Sequence, residues 1–230
     1  MRVVKCEANP RVYFLKGEGK RRILVTKNLI KGFRFSDERI FTLKKIEYRE
    51  WIPQRSKIAA ALVNGLKLFP LEKGDRILYL GAAAGQTASY CSDIVGNSGI
   101  VFCVEISERV LRELILKCRE RKNMLPILAD ASKPEEYEKF VTKDVDFVFQ
   151  DIAQPNQVEI FVKNCKKFLK KHGYGMIAVK SRSIDVTEKP KRIFRKVEEE
   201  LLKEGFSIED KKRLEPFEKD HCVFLVRQKT

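Results

Sequence analysis

From residue 76 onward, short apolar runs alternate with stretches whose apolar residues recur at helical spacing. The runs are RILYLG (76–81), GIVFCVEI (99–106), MLPILAD (124–130), VDFVFQD (145–151) and GYGMIAVKS (173–181). Continuous apolar runs of this length, bounded by turn residues, read as strands buried on both faces. Between them, SERVLRELILKCRER and QVEIFVKNCKKFLKKH carry apolar residues every three or four positions, the pattern of an amphipathic helix. Strands alternating with helices predict a parallel sheet with helices on both faces. After a last helix in IFRKVEEELLKEG come two β runs, FSIEDKKRLEPF and HCVFLVRQK. The link EPFEKD is too short for a parallel crossover. These runs are expected to pair antiparallel, as a hairpin at the sheet's edge or within it.

The first 52 residues have a different texture. RVYFLKGEGKRRILVTKNL is two β-rich runs around a KGEGK turn, a hairpin signal. FRFSDERIFTLKKIEYREWIP continues in short alternating stretches, and Pro53 closes the region. A small antiparallel β domain over residues 1–52 is expected, with the α/β domain over 53–230. RSKIAAALVNGLKLF places Ile58, Ala61, Leu62, Leu66 and Phe69 at helical spacing and predicts a helix from Arg55 to Phe69.

Composition sharpens this picture in three ways. The 230 residues are 43% hydrophobic, enough for a core. No apolar run reaches the ~18 residues of a membrane span, and MRVVKCEANP lacks the apolar stretch of a signal peptide, so a soluble, cytoplasmic protein is expected. The six cysteines stand singly with no C-x-x-C pair, and Cys91, Cys103 and Cys165 sit among apolar residues. They are expected to be small core residues, and no metal site is expected. The 47 basic against 32 acidic residues leave a net charge of +15, an imbalance that favours a polyanionic partner. No basic tail or Gly/Arg-rich tract is present, so the charge must lie on folded surface.

Ligands of such sheets bind at the carboxyl ends of the strands. Polar or small residues stand there on every central run: the loop Gly81–Gly85, Glu105, Asp130, Asp151 and Lys180. A core does not require charges at those positions. Glu105, a strand and a helix beyond the loop, can accept hydrogen bonds from both hydroxyls of a ribose. Its competing role, an N-cap, belongs more naturally to Ser107. Asp130 in LADAS stands where an adenine amino group would lie, or else caps a helix. The loop GAAAG lacks the three glycines that a pyrophosphate demands. Asp151 would repel phosphates but suits an ammonium or sulfonium. Ribose, adenine and a cationic methionine moiety together point to S-adenosyl-L-methionine.

LYLGAAAGQT, VEIS, LADAS, DIAQPNQ, GYGMIAVKSRSID and EPFEKDHCVF together resemble the archaeal fibrillarins, RNA-guided ribose 2′-O-methyltransferases. The resemblance runs nearly end to end and includes REWIPQRSKIAAAL. It implies a class I S-adenosylmethionine-dependent methyltransferase, with a Rossmann-like, mostly parallel sheet ending in an antiparallel hairpin, behind the small N-terminal β domain. It implies cofactor contacts from the loop residues Gly81, Ala82 and Gly85, and from Thr87, Ala88, Glu105, Ile106, Asp130, Ala131, Asp151, Ile152, Ala153 and Gln154. It implies a catalytic group of Lys57, Asp151, Lys180 and His221. The partners implied are a box C/D guide RNA with target rRNA or tRNA, a Nop-domain scaffold protein and a kink-turn-binding ribosomal-type protein. One departure stands out: the family's pair of threonines after the loop is Gln86 and Thr87 here.

Displacement of a sulfonium methyl by a 2′-oxygen depends on alignment and on removing the hydroxyl proton. Lys180 would lower the hydroxyl's pKa or take its proton; Asp151 would orient that lysine; His221, opening an edge strand, would position the substrate or receive the proton. Arg182 and the face around Lys166, Lys167, Lys170 and Lys171 would meet phosphates, or be solvated. A protein or small-molecule methyltransferase on the same fold, and a non-catalytic RNA-binding subunit, are the alternatives. The excess charge argues against the first, and the intact catalytic set against the second.

Overall fold

The computed structural model describes residues 1–17 and 22–229. Five antiparallel strands, β1 (Arg2–Cys6), β2 (Asn9–Lys16), β3 (Arg22–Lys27), β4 (Ile40–Leu43) and β5 (Ile46–Glu50), form a sheet in the order β1-β2-β3-β5-β4. The expected hairpin is β2 paired with β3, from Val12 opposite Thr26 to Lys16 opposite Arg22. Most of its KGEGK turn lies outside the described residues. Adjacent residues of β3 serve opposite faces: Leu24 joins the main core, and Val25 packs with Leu15 and Tyr48.

The helix expected from Arg55 to Phe69 is shorter. Pro53–Arg55 is a single 3-10 turn, and α1 spans Lys57–Val63. The Ser56 hydroxyl caps α1 by accepting the Ala59 N–H and also accepts the Trp51 indole N–H. Gly65, at φ +83°, ends the helix in the left-handed conformation that favours glycine. Leu66 and Phe69 are nevertheless buried, from non-helical backbone. Their helical spacing reflected burial alone.

The rest of the chain runs β6 (Arg76–Leu80), α2 (Gln86–Val95), β7 (Ile100–Glu105), α3 (Glu108–Cys118), β8 (Met124–Leu128), α4 (Pro134–Tyr137), β9 (Val145–Gln150), α5 (Gln157–Phe168), β10 (Leu169–Lys180), α6 (Ser181–Ile184), α7 (Pro190–Lys203), β11 (Phe206–Arg213) and β12 (His221–Gln228). Its seven-stranded sheet has the order β11-β12-β10-β9-β6-β7-β8. The hairpin is inserted so that β12 lies antiparallel between β10 and β11. His221 therefore opens an interior strand and not an edge strand. The reason is burial: Cys222–Val226 are all buried, whereas β11 alternates with exposed residues. A continuously apolar strand needs cover on both faces and both edges.

Alternate residues of the large sheet build two cores. Tyr79, Phe149, Ala178 and Val223 face α1, α2 and the small sheet, while Leu80, Val148, Val179 and Phe224 face α5 and α7. Cys91, Cys103 and Cys165 are fully buried within them, as expected. The small sheet is bolted to α2 by charge. Arg49 binds Glu38 and Asp93 at 2.8 Å each, and Arg121 reaches the other oxygen of Asp93 at 2.8 Å, with every side chain fully buried. Trp51 stacks on Tyr90 of α2 with centroids 4.9 Å apart. Among the described residues, no helix is long and apolar enough to cross a membrane.

Candidate active site

The sheet order reverses between β6 and β9, and a cleft opens there at the carboxyl ends of the strands. Its cavity has a volume of about 220 Å³ and is lined by Gly81 and Ala83 from the β6–α2 loop, Val104 and Glu105 from β7 with Ile106 just after it, Ala129, Asp130 and Ala131 after β8, and Asp151, Ile152, Gln154 and Ile160. Gly81 is required by close approach. At φ +76°, a Cβ there would lie 2.4 Å from the Asp151 carbonyl oxygen. Gly85, at φ +82°, is excluded from bearing a side chain by Leu114 and Phe35, so its role is packing.

Glu105 is held by two backbone donors. Its Oε2 accepts the Ala83 N–H and its Oε1 the Ser107 N–H, each at 2.9 Å. A carboxylate has about four acceptor positions, so each oxygen keeps capacity toward the cavity. Ser107 itself is the N-cap of α3. Asp130 accepts the Ser132 N–H at 2.9 Å, which holds its carboxyl below the usual carboxylate range. The turn residue and the cavity residue are thus one and the same.

Of the residues the resemblance assigned to the cofactor, Ala82, Gly85, Thr87, Ala88 and Ala153 do not line the cavity. Ala82, Thr87 and Ala88 are buried, and Ala153 is exposed beyond the wall. Thr87 lies beside the Tyr79 hydroxyl, and Gln86, the departure from the family pattern, beside that of Tyr90. Sequence reasoning missed Ala83, Val104, Ala129 and Ile160. Ala83 is singled out only by its positive φ of 48°, which an alanine in sequence does not announce.

The four residues of the expected catalytic group share one face. Phe149, Ala178 and Val223 belong to one core cluster. One side-chain period further toward the carboxyl edge stand Asp151, Lys180 and His221. Lys57, at the start of α1 on the same face, binds Asp151 with Nζ to Oδ2 at 3.0 Å. Burial raises the pKa of the Asp151 carboxyl, and the Lys57 ammonium and His221 pull it back. His221 is 7% exposed, and its Nδ1 lies 2.7 Å from the Lys219 carbonyl. A carbonyl can only accept, so Nδ1 carries the proton and, in the neutral ring, Nε2 keeps a free lone pair. Lys180 is exposed and makes no ion pair among the described residues.

Of the other basic residues named for phosphate contact, all but Lys171 are in ion pairs. Arg182 binds Asp220 at 3.3 Å. Lys166 binds Glu204 at 2.6 Å, Lys170 binds Asp146 at 2.5 Å, and Lys167 binds Glu138. Three of the four lysines named for phosphate contact are instead tied into surface ion pairs.

A seven-stranded sheet with one inserted antiparallel strand, and a carboxylate-lined cleft at its switch point, is the class I S-adenosylmethionine-dependent methyltransferase fold. The comparisons narrow this. The Fibrillarin family model matches residues 3–230, and the chain belongs to the fibrillarin family. It is 52% identical over 225 residues to the fibrillarin-like rRNA/tRNA 2′-O-methyltransferase of Pyrococcus furiosus, covering 98% of each chain. The structure of Aeropyrum pernix fibrillarin with natively bound S-adenosyl-L-methionine superposes with a TM-score of 0.90 at 43% identity, covering 98% of each chain. A fibrillarin/Nop5p complex superposes with a TM-score of 0.85 at 40% identity, covering 95% of this chain and 97% of the other.

Proposed function

We propose that this chain is an S-adenosylmethionine-dependent ribose 2′-O-methyltransferase of rRNA and tRNA, and the catalytic subunit of a box C/D guide ribonucleoprotein. The observation that carries this reading is the gathering of Lys57, Asp151, Lys180 and His221 on one face of the sheet beside a cavity suited to a nucleoside. Similarity to rRNA/tRNA 2′-O-methyltransferases over nearly the whole chain supports it.

The residues present fit the cofactor. Glu105 has acceptor capacity on both oxygens for ribose hydroxyls, Asp130 for an adenine amino group, and the apolar walls Ile106, Ala129 and Ile152 for the flat base. The cavity, with a volume of about 220 Å³ and walls that include Glu105 and Asp130, suits the nucleoside end of the cofactor. When bound, S-adenosylmethionine supplies a methyl carbon activated by a sulfonium.

The ribose 2′-oxygen forms a bond to that carbon as the carbon–sulfur bond breaks, and the hydroxyl proton leaves to the protein. Asp151, locked by Lys57, sets negative charge at the cavity wall. Lys180, with no carboxylate on it, offers positive charge to the developing alkoxide. His221, with Nδ1 committed to Lys219, offers Nε2 as the proton acceptor.

No module for reading single-stranded RNA is recognisable in the sequence, and charge alone binds backbone without choosing a nucleotide. Site selection therefore falls to base pairing with a guide RNA. Placement falls to a Nop-domain scaffold, a reading supported by the fibrillarin/Nop5p complex, and to a kink-turn-binding protein. The test is site-mapped methyl transfer from labelled cofactor, with each component omitted in turn. Methylation at one position per guide, lost on each omission, is expected. Position-specific methylation by the isolated chain would overturn the reading.

A further inference from the structure

Interior strands bond their backbones to neighbours on both sides. At the carboxyl edge of this sheet that rule fails for β10. Strand β9 ends at Gln150, and Ile177 is the last β10 residue paired with it. The backbone N–H and C=O of Lys180 on that side meet no strand. They meet Gln157, fully buried in the first turn of α5. Its Oε1 accepts the Lys180 N–H at 3.3 Å, and its Nε2 donates to the Lys180 carbonyl at 3.4 Å. One carboxamide replaces the missing peptide unit of β9.

The same Nε2 also donates to the Gln154 carbonyl at 2.9 Å, and Gln154 is part of the cavity wall. The Gln157 backbone is held in turn, its carbonyl accepting the Gln150 Nε2 at 2.5 Å. A buried carboxamide costs free energy unless it is hydrogen-bonded. An apolar residue would fill the volume but leave the Lys180 N–H and C=O without these partners. Every polar bond of the Gln157 side chain goes instead to two segments, one bearing Lys180 and the other bordering the cofactor.

We propose that Gln157 is a positioning residue that sets Lys180 in register with the cofactor wall. It joins the end of β10 to the loop after β9, where strand pairing has stopped. This rests on the assignment of Lys180 above, and the test separates the two. Single-turnover methyl transfer is measured in the assembled guide particle at saturating cofactor, for the wild type, Gln157→Met, Lys180→Ala and the double variant. Cofactor affinity is measured alongside by calorimetry, and folding by thermal melts.

Lys180→Ala is expected to slow transfer by about 100-fold or more, the range of a group that stabilises charge developing in the transition state. Gln157→Met is expected to slow it by roughly 10- to 100-fold through misplacement, with cofactor affinity changed by less than about threefold. The double variant is expected to be no slower than Lys180→Ala, because a residue acting through another adds nothing once that residue is gone. Multiplying losses in the double variant would mean a general structural role and overturn the inference. So would wild-type rates for Gln157→Met beside a slow Lys180→Ala. Wild-type rates for Lys180→Ala would remove the assignment of Lys180, and the inference with it. Should Gln157→Met fail to fold, Gln157→Glu keeps the acceptor for the Lys180 N–H and loses both donations, and the same non-additivity decides.

Discussion

Lys180 lies directly opposite His221 across the antiparallel pair β10–β12. The Lys180 N–H and C=O are turned away from β12, toward Gln157. The pair is therefore of the non-hydrogen-bonded type, in which opposing side chains come closest. A cation and an imidazole with a free Nε2 are thus neighbours at the open edge of the sheet, on the face that carries Asp151. This relation depends on β12 being inserted inside the sheet. As an edge strand on the far side of β11, it would carry His221 away from Lys180.

The Lys57–Asp151 pair makes activity depend on pH in a definite direction. Burial raises the Asp151 carboxyl and Lys57 lowers it. Removing the lysine charge therefore lets the carboxyl rise further, so that at a given pH less of it is ionised. Lys57→Met is expected to move the acid limb of the rate–pH profile of the guide particle to higher pH, with partial recovery of rate as pH rises. An acid limb unchanged in position would separate Asp151 ionisation from catalysis.

Glu105 has both oxygens tied to backbone N–H groups and still faces the cavity. Glu105→Ala is expected to weaken S-adenosylmethionine binding by about 1.5–3 kcal/mol, the worth of hydrogen bonds to a charged acceptor. Isothermal titration checks this, with NAD as a control that is expected not to bind. Equal affinity of variant and wild type would take Glu105 out of the site.

The buried charges under α2 predict acid sensitivity. Burial would raise the Glu38 carboxyl, but the Arg49 charge and the bonds from Ser36 and Phe35 overcome it and hold its pKa at about 2, against 4.5 for a free glutamate. A depressed carboxyl contributes stability that is fully present above the unfolded value and is lost as pH falls toward the folded one. The contribution is on the order of 3 kcal/mol. Urea unfolding of the wild type should show stability falling between pH 4.5 and about 2, with a flatter fall in Glu38→Gln. Parallel curves for the two proteins would show that Glu38 is not the titrating group.

The sequence by itself determined the alternation of strands and helices, the antiparallel pairing of the last two strands, the buried cysteines and the polar residues at the strand ends. These follow from local periodicity and from the rule that sheets of this kind bind ligands at one edge. Its motifs also carried the family. Only the tertiary structure decided which strand of the last hairpin lies against β10, that Ala83 and not Thr87 or Ala88 reaches the cavity, and that the helix after Pro53 stops at Val63 while Leu66 and Phe69 stay buried. Only it joined Glu38, Arg49, Asp93 and Arg121 into one buried network, or set Gln157 against the unpaired end of β10. The physical reason is common to these cases. Each rests on contacts between residues far apart in the chain, chosen by burial and by the need to satisfy polar groups, and neither leaves a periodic mark on the sequence.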